Sequence, residues 1–280
     1  MKIGLFGIGS GPCGDPEVAL AAARAAEAAG LESLWTGEHV VLPDPQAPPS
    51  PAPPEFPMLH PSTILAYLAG VTERVKLGTG IVLLPQRNPV VLAKELASLD
   101  AVSGGRLLFG LGVGYLEAEF DALGVPFAGR GARADEYIDA MKALWTQDAP
   151  SFQGKHVSFS GIQARPRPIQ QPHPPFIVGG MSPGAYARAT SRGNGWYGFA
   201  LDLDGTARAL EGLREAAKQV ERPDDLGRLE ISVTPSFTPD RESLAKLEDL
   251  GVDRVIPILR GRDREGIAAF IEELASELIR

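Results

Sequence analysis

Eight short apolar runs, each followed by a segment with the residue pattern of an amphipathic helix, alternate along this chain of 280 residues. Most of the runs are apolar throughout, which is typical of parallel strands covered by helices. Eight such units in one chain of this length predict an α/β fold, a closed (β/α)8 TIM barrel in one domain over residues 1–280, rather than an open doubly wound sheet.

Two proline-rich segments interrupt the alternation. Residues 43–57, PDPQAPPSPAPPEFP, suit neither a helix nor a strand, and we interpret them as an insertion in the loop after strand two, stiffened by polyproline geometry. Residues 149–174 are predicted to form a small hairpin or excursion before strand five. The strand–helix alternation resumes after each segment, so neither is interpreted as a domain boundary.

The stretch Gly9–Gly14, GSGPCG, fits the G-x-G-x-x-G spacing of a dinucleotide-binding loop. In that loop the helix begins among the glycines, so that its N-terminus meets the pyrophosphate. Here Pro12 interrupts the loop, and the helix signals come only with Asp15 as a cap and Pro16 in the first turn. A Rossmann domain is therefore not predicted.

Charge and cysteine content exclude several classes of function. A net charge of −8 and an isoelectric point near 5.1 argue against nucleic acid or an anionic membrane as partner, since both select for basic surfaces. One cysteine excludes a disulfide within the chain and a cysteine-rich metal site, and we predict no bound metal. Nothing at the N-terminus resembles a signal peptide and no run approaches the roughly 18 apolar residues of a membrane span, so we expect a cytoplasmic protein.

The first candidate for chemistry follows the second strand. Active sites of (β/α)8 barrels are built from the loops at the C-terminal strand ends, and Ser33–Thr36 is followed at once by Glu38 and His39. An imidazole can donate or accept a proton at physiological pH, and a carboxylate nearby can fix its tautomer. We therefore predict His39 and Glu38 as catalytic residues, with a solvated or merely packed histidine as the alternative.

The second candidate is the end of strand three, LGTGIVLLP, where glycines stand on both sides of Thr79. Glycine weakens a strand, and its usual justification there is a β-bulge or the close approach of a ligand. A flat aromatic ring against Thr79, Gly80 and Ile81 would explain the pattern. A barrel corner where only glycine fits is the alternative.

The third candidate is the end of strand five, where Gly179, Gly180 and Met181 lead to Ser182, a helix cap followed by Pro183. The free N–H groups and the positive dipole end of such a helix bind anions, so this loop is predicted to hold a phosphate. The alternative is a well-capped helix without a ligand.

The fourth strand ends in GLGVGY, so Gly112, Gly114 and Tyr115 should lie beside the same pocket. Together these strand ends predict a phosphorylated planar ligand whose reacting edge faces His39.

With these residues described, the chain resembles the bacterial luciferase-like monooxygenase family (LLM class), and within it the branch that uses the deazaflavin coenzyme F420. The resemblance covers nearly the whole chain and is carried by LWTGEHVVLP, by VKLGTGIVLLPQRNPVVLAKELASLDAVSGGRLLFGLGVGY and by FIVGGMSPGAYARATSRGNGWYG. It implies a (β/α)8 barrel with excursions and an oxidoreductase. Members are commonly dimers, so we expect a homodimer.

The resemblance also implies roles for individual residues. His39 matches the active-site histidine near the cofactor ring, which handles a proton or stabilises charge. Gly80–Ile81 matches a bulge that backs the ring, often with a cis peptide bond, and Gly179–Ser182 matches the phosphate loop.

There are departures from the sugar dehydrogenases of this branch, which have a tryptophan shortly after the histidine and a carboxylate proton donor after the glycines of strand four. This chain has Val40–Pro43 and Tyr115 at those places, with Glu117 and Glu119 nearby but out of register. A sugar phosphate is therefore not expected as the substrate.

The leading hypothesis is an F420-dependent oxidoreductase that transfers a hydride between the deazaflavin C5 and an unidentified small organic substrate. One alternative keeps the fold and uses reduced FMN and oxygen as a monooxygenase. Another, from a different class, is a non-catalytic barrel that binds a flavin or deazaflavin. The loops that would select the substrate, 43–57 and 149–174, are the least informative parts of the sequence.

Overall fold

Eight parallel strands close into a barrel in the computed structural model, which describes residues 1–279. Neighbouring strands of the barrel follow one another along the chain, and pairing of the first strand with the last closes the circle. The predicted (β/α)8 fold is confirmed. In chain order the strands are β1 (Lys2–Phe6), β2 (Ser33–Thr36), β3 (Lys76–Thr79), its continuation β4 (Val82–Leu83), β5 (Leu107–Gly112), β6 (Phe152–Gln153), β7 (Ser158–Phe159), β8 (Phe176–Gly179), β9 (Gly195–Leu201), β10 (Glu230–Pro235) and β11 (Arg254–Val255).

The helices begin where the sequence supplies caps. Asp15 accepts hydrogen bonds from the first-turn N–H groups of α1, and Gly30, with φ of 90°, ends that helix. No helix within residues 1–279 is long and apolar enough to cross a membrane. The helices are α1 (Pro16–Ala29), α2 (Pro61–Ala69), α3 (Pro89–Val102), α4 (Glu117–Ala122), α5 (Arg130–Thr146), α6 (Pro183–Arg192), α7 (Leu203–Gln219), α8 (Arg241–Leu250) and α9 (Arg264–Leu278).

Both predicted insertions interrupt the barrel where expected. The chain from 37 to 60 joins β2 to α2 without a helix or strand, and it ends against the loop after β1, where the Gly11 N–H donates to the Pro57 carbonyl at 3.0 Å. The second insertion contains β6 and β7, which pair as an antiparallel hairpin. The hairpin prediction is therefore confirmed.

The glycine-rich stretch after β1 forms a short 3-10 turn, Gly11–Gly14, and α1 begins only at Pro16. The prediction that this is not a dinucleotide loop is confirmed. Cys13 lies in the turn with no exposed surface. Burial raises the pKa of its thiol to about 11, although a hydrogen bond with the Gly9 backbone acts in the opposite direction.

A buried ion cluster fills the N-terminal end of the barrel. Arg254, the fully buried first residue of β11, donates to both carboxylate oxygens of Glu32, at 2.9 and 3.0 Å, to Glu230 and to the hydroxyl of Ser232 at 3.0 Å. Burial alone would raise the pKa of Glu32, but the hydrogen bonds and charge of Arg254 outweigh it and lower that pKa to about 2. This end of the barrel is occupied by polar structure, which leaves the opposite end for a ligand.

Candidate functional site

The third barrel strand contains a β-bulge at the C-terminal end of the barrel. Gly78 pairs with Leu108 and Val82 with Leu111, so four steps along β3–β4 face three steps along β5. The extra residue lies at the Gly80–Ile81 peptide, which is cis, as the family resemblance implied. The bulge predicted from the glycines around Thr79 is therefore present.

The side chain of Ile81 fills space that two neighbouring strands, β5 and β8, leave open. A Cβ added to Gly112 would lie 2.0 Å from Ile81 Cδ1, and one added to Gly179 would lie 2.8 Å from the same atom. Thr79 is buried, its hydroxyl donates to the Gly110 carbonyl at 2.6 Å, and a Cβ on Gly110 would collide with the Thr79 carbonyl at 1.8 Å. The glycines of β5 and β8 are thus required by the bulge itself.

These contacts bring the predicted strand ends together. The Gly80 N–H donates to the Thr36 carbonyl, the last residue of β2, at 2.7 Å. A Cβ on Gly37 would lie 3.5 Å from the Gly80 carbonyl oxygen. The bulge therefore touches the end of β2, which carries His39, and through Ile81 it touches the end of β8.

His39 lies between a buried carboxylate and a half-exposed phenol. Its Nδ1 is 3.3 Å from Glu119 Oε2, and its Nε2 is 3.3 Å from the hydroxyl of Tyr115. The Glu119 side chain has no exposed surface and also accepts the N–H of Val40, whereas Tyr115 is 49% exposed. Because a carboxylate only accepts, Nδ1 carries the hydrogen, and Nε2 of the neutral ring accepts from Tyr115.

Electrostatics support this assignment. Burial alone would raise the pKa of Glu119, but its hydrogen bonds with His39 and the Val40 N–H outweigh burial and lower that pKa, which keeps the carboxylate ionised. Burial, and then the nearby Glu119 charge, raise the pKa of Tyr115. The phenol therefore keeps its proton at neutral pH, and the three groups form a hydrogen-bonded chain from the interior to the mouth.

The carboxylate in contact with His39 is thus Glu119 and not Glu38, the residue predicted from the sequence. Glu38 is buried, accepts the Leu83 N–H at 2.8 Å and pairs with Arg87. Since Leu83 belongs to β4, Glu38 fastens the end of β2 to the strand beyond the bulge. Its side chain makes a structural contact because the buried Leu83 N–H needs an acceptor there.

The predicted phosphate loop caps α6 at the mouth. Ser182 accepts the Ala185 N–H at 3.2 Å, Gly180 has φ of 115°, and its carbonyl accepts the indole N–H of Trp196 at 2.8 Å. Gly180, Met181 and Ser182 are all exposed. An exposed helix N-terminus beside glycine backbone is chemically suited to a phosphate, so this loop fits that part of a flavin-type cofactor.

The predicted cofactor residues differ in how they face the mouth. Gly112 is buried under Ile81, and Gly114 is closed by Phe120, whose ring would lie 2.8 Å from an added Cβ. Tyr115 and Met181 are the exposed members, at 49% and 53%. Direct contact of Gly112 and Gly114 with a cofactor stays a prediction.

Sequence reasoning missed Glu119 as the partner of His39, and it missed two aromatic residues at the mouth. Phe6 ends β1, and a Cβ on Gly80 would lie 3.1 Å from its ring. The Phe6 ring lies 4.9 Å from that of Phe199, which is 42% exposed at the end of β9. Both occupy C-terminal strand ends, which is the signal that could have found them. Within residues 1–279 no cluster of three metal-ligating side chains occurs.

The fold is thus a closed (β/α)8 barrel whose third strand is bulged at the mouth that carries His39. The sequence profile of the luciferase-like monooxygenase family matches residues 6–273, and the chain belongs to that family.

Among relatives, an uncharacterized protein of Mycobacterium tuberculosis is 32% identical over 269 residues, which cover 92% of this chain and 93% of that protein. The FMNH2-dependent dimethylsulfone monooxygenase of Pseudomonas putida is 38% identical over 138 residues, 48% of this chain and 38% of that enzyme.

Solved structures with the same fold include enzymes of both cofactor types. An F420-dependent secondary alcohol dehydrogenase, solved with an F420–acetone adduct, superposes with a TM-score of 0.79 at 15% identity, over 99% of this chain and 98% of that chain. The monooxygenase RslO1 of Streptomyces bottropensis gives 0.77 at 23% identity over 100% and 99%. The FMN-bound oxygenating component of 3,6-diketocamphane monooxygenase from Pseudomonas putida gives 0.64 at 21% over 84% and 67%.

Proposed function

We propose that this protein is an F420-dependent oxidoreductase that transfers a hydride between the deazaflavin C5 and a small organic substrate. The observation that carries the proposal is the Glu119–His39–Tyr115 chain, which ends in a half-exposed phenol beside the bulge. Hydride transfer to a carbonyl-type carbon needs a proton for the substrate oxygen. The three hydrogen-bonded side chains can supply that proton beside the bulge.

The cofactor supplies the hydride-transfer chemistry when bound. The residues that would hold it are the half-buried Gly80–Ile81 bulge, against one face of the ring, and the exposed loop Gly180–Ser182, at the phosphate. The aromatic pair Phe6 and Phe199 would exclude water from the neighbouring side of the mouth.

The proton-handling roles follow from the geometry. Glu119 holds Nδ1–H of His39 and so fixes the tautomer and the ring orientation. Tyr115 presents its hydroxyl to the mouth and is hydrogen-bonded to Nε2. When Tyr115 has given its proton to a substrate oxygen, Nε2 of His39 takes up a proton from solvent at the mouth and passes it to the phenolate, while Nδ1–H stays on Glu119.

One feature favours F420 over FMN. The Glu119–His39–Tyr115 side chains are suited to proton exchange, which a hydride transfer to a carbonyl carbon consumes directly. The runner-up is an FMN-dependent monooxygenase, favoured by the partial match to the dimethylsulfone enzyme.

The test begins with cofactor binding. Purified protein is titrated with F420 and with FMN, each oxidised and reduced under anaerobic conditions, and binding is followed by absorbance and fluorescence. We expect saturable binding of F420, tighter than that of FMN. Tighter binding of FMN would contradict the proposed cofactor and favour the monooxygenase.

Turnover is then measured with reduced F420 and a panel of ketones, and with oxidised F420 and secondary alcohols. His39→Ala should lower turnover by about 10²–10⁴-fold while F420 affinity changes little, because the residue handles a proton rather than holding the ring. His156→Ala is the matched control, since His156 is exposed beside the β6–β7 hairpin. Equal turnover in both variants would mean that another group performs the proton transfer, and binding without turnover on any substrate would favour a non-catalytic barrel.

We also propose a small molecule as the only ligand class besides the cofactor, and a homodimer as the assembly.

A further inference from the structure

A small cleft lies at the same end of the barrel, between the loops that follow β10 and β11. Its polar lining is Ser236, Thr238 and Arg260, and its apolar walls include Phe237 and Phe270. The volume is about 30 Å³, which suits one small polar group rather than a whole ligand.

The polar groups of the cleft are available. Within residues 1–279, none of the side chains of Ser236, Thr238 and Arg260 has a hydrogen-bonding or ionic partner. The nearest carboxylates in sequence accept helix-capping hydrogen bonds, Asp240 from the Ser243 N–H at 2.8 Å and Asp263 from the Gly266 N–H at 2.9 Å. Arg260 therefore retains an unpaired positive charge in a chain of net charge −8.

The backbone next to Arg260 has a fixed path. Gly261, next to Arg260, has φ of 128°, and a Cβ there would lie 2.6 Å from the Ile267 nitrogen in the first turns of α9. Only glycine allows this close approach with this φ. The loop backbone beside Arg260 is thus held against α9, and the Arg260 side chain is exposed at the barrel rim.

The cleft adjoins the proposed active site. The Leu259 N–H donates to the Phe6 carbonyl at 2.8 Å, and Ile258 forms a bridge with Phe6. The Phe6 ring contacts Phe199 and lies close to Gly80, where the cofactor ring is proposed to bind. The cleft and the mouth are therefore neighbours, joined by Phe6 and the loop that follows β11.

We propose that this cleft binds a carboxylate-type anionic group of a molecule that occupies the barrel mouth. A guanidinium with two hydroxyls offers several donors and no acceptor charge, which matches a carboxylate. The inference rests on the proposed function only in placing the active site at this mouth. Two molecules could supply the group, a carboxylate-bearing substrate or the glutamyl residues of the cofactor, and the test separates them.

The test compares wild type with Arg260→Gln and with Arg262→Gln, a matched loss of charge at an exposed arginine outside the cleft. Succinate is the probe, titrated by calorimetry at low salt. We expect saturable binding that is at least about tenfold weaker in Arg260→Gln and unchanged in Arg262→Gln, since a charge-assisted contact is lost. The double variant Ser236→Ala/Thr238→Val should weaken it as well. Equal affinities in wild type and Arg260→Gln, or no saturable binding to wild type, would overturn the inference.

A second titration identifies the source of the group and separates this inference from the proposed function. Each protein is titrated with F420 and with the same cofactor lacking its glutamyl residues. Weaker binding of the full cofactor alone in Arg260→Gln indicates the glutamyl residues, and unchanged binding of both indicates a substrate. If succinate binding depends on Arg260 while neither cofactor binds, the cleft stands and the proposed function fails. If F420 and its shortened form both bind while succinate binding does not depend on Arg260, the proposed cofactor stands and the inference about the cleft fails.

Discussion

Gly112→Ala tests whether the bulge and the β5 glycines form one packed unit. The new Cβ would lie 2.0 Å from Ile81 Cδ1, so Ile81 must rotate or the strands must separate. Overpacking of this kind costs about 1–3 kcal/mol in the free energy of unfolding. Because Ile81 is half-buried at the mouth, its displacement should also weaken deazaflavin binding.

The assay is a double-mutant cycle measured by urea unfolding. Ile81→Ala removes the obstructing atoms, so the double variant should be less destabilised than the sum of the single variants by about 1–2 kcal/mol. Gly110→Ala is the comparison, because its Cβ would meet the Thr79 carbonyl oxygen at 1.8 Å, a backbone atom that Ile81→Ala cannot move. Additive costs for Gly112→Ala and Ile81→Ala would refute the reasoning, since residues that share one space must be coupled.

Other variants test the ion cluster and the relay. Arg254→Met should lower the free energy of unfolding by about 3–5 kcal/mol, because it leaves buried carboxylates without their cation. The exposed control Arg228→Met should lower it by about 0–1 kcal/mol. Both are measured by urea unfolding, and similar losses would contradict a buried network. The folded-state pKa of Glu32, about 2, lies below its ordinary 4.5. The ionised Glu32 therefore stabilises the fold above about pH 4.5, and this contribution is lost as the pH falls towards 2. Glu32→Gln should flatten that part of the curve of melting temperature against pH. Glu119→Gln should lower turnover about 10–100-fold with little change in cofactor affinity, because the imidazole loses its anionic partner. The control Glu117→Gln, at an exposed residue, should change neither quantity. Equal kinetics in the two variants would contradict the assigned relay.

The fold was predictable because its signals are local. Each barrel strand is a short apolar run, and caps such as Asp15 and Ser182 mark helix starts within a few residues. The bulge was predictable for the same reason, since glycines on both sides of Thr79 are visible in the sequence. The short helix α4 was missed because six residues give too little periodicity.

The partner of His39 was not predictable, because Glu119 lies 80 residues away in the chain and its contact depends on the path of the loop after β5. Glu38 is adjacent in sequence, but adjacent residues on an extended segment point in opposite directions, and its carboxylate meets Leu83 instead. The glycines of β5 show a similar limit to prediction from the sequence. The sequence shows that space is needed at Gly110 and Gly112, but not that Thr79 and Ile81 fill it.

The burial of Cys13 has a consequence for redox chemistry. Since only the thiolate is nucleophilic or readily oxidised, a pKa of about 11 leaves roughly one thiol in ten thousand reactive at neutral pH. The sole sulfhydryl of this oxidoreductase-family protein is thereby kept inert towards peroxide and disulfide exchange while the barrel stays folded.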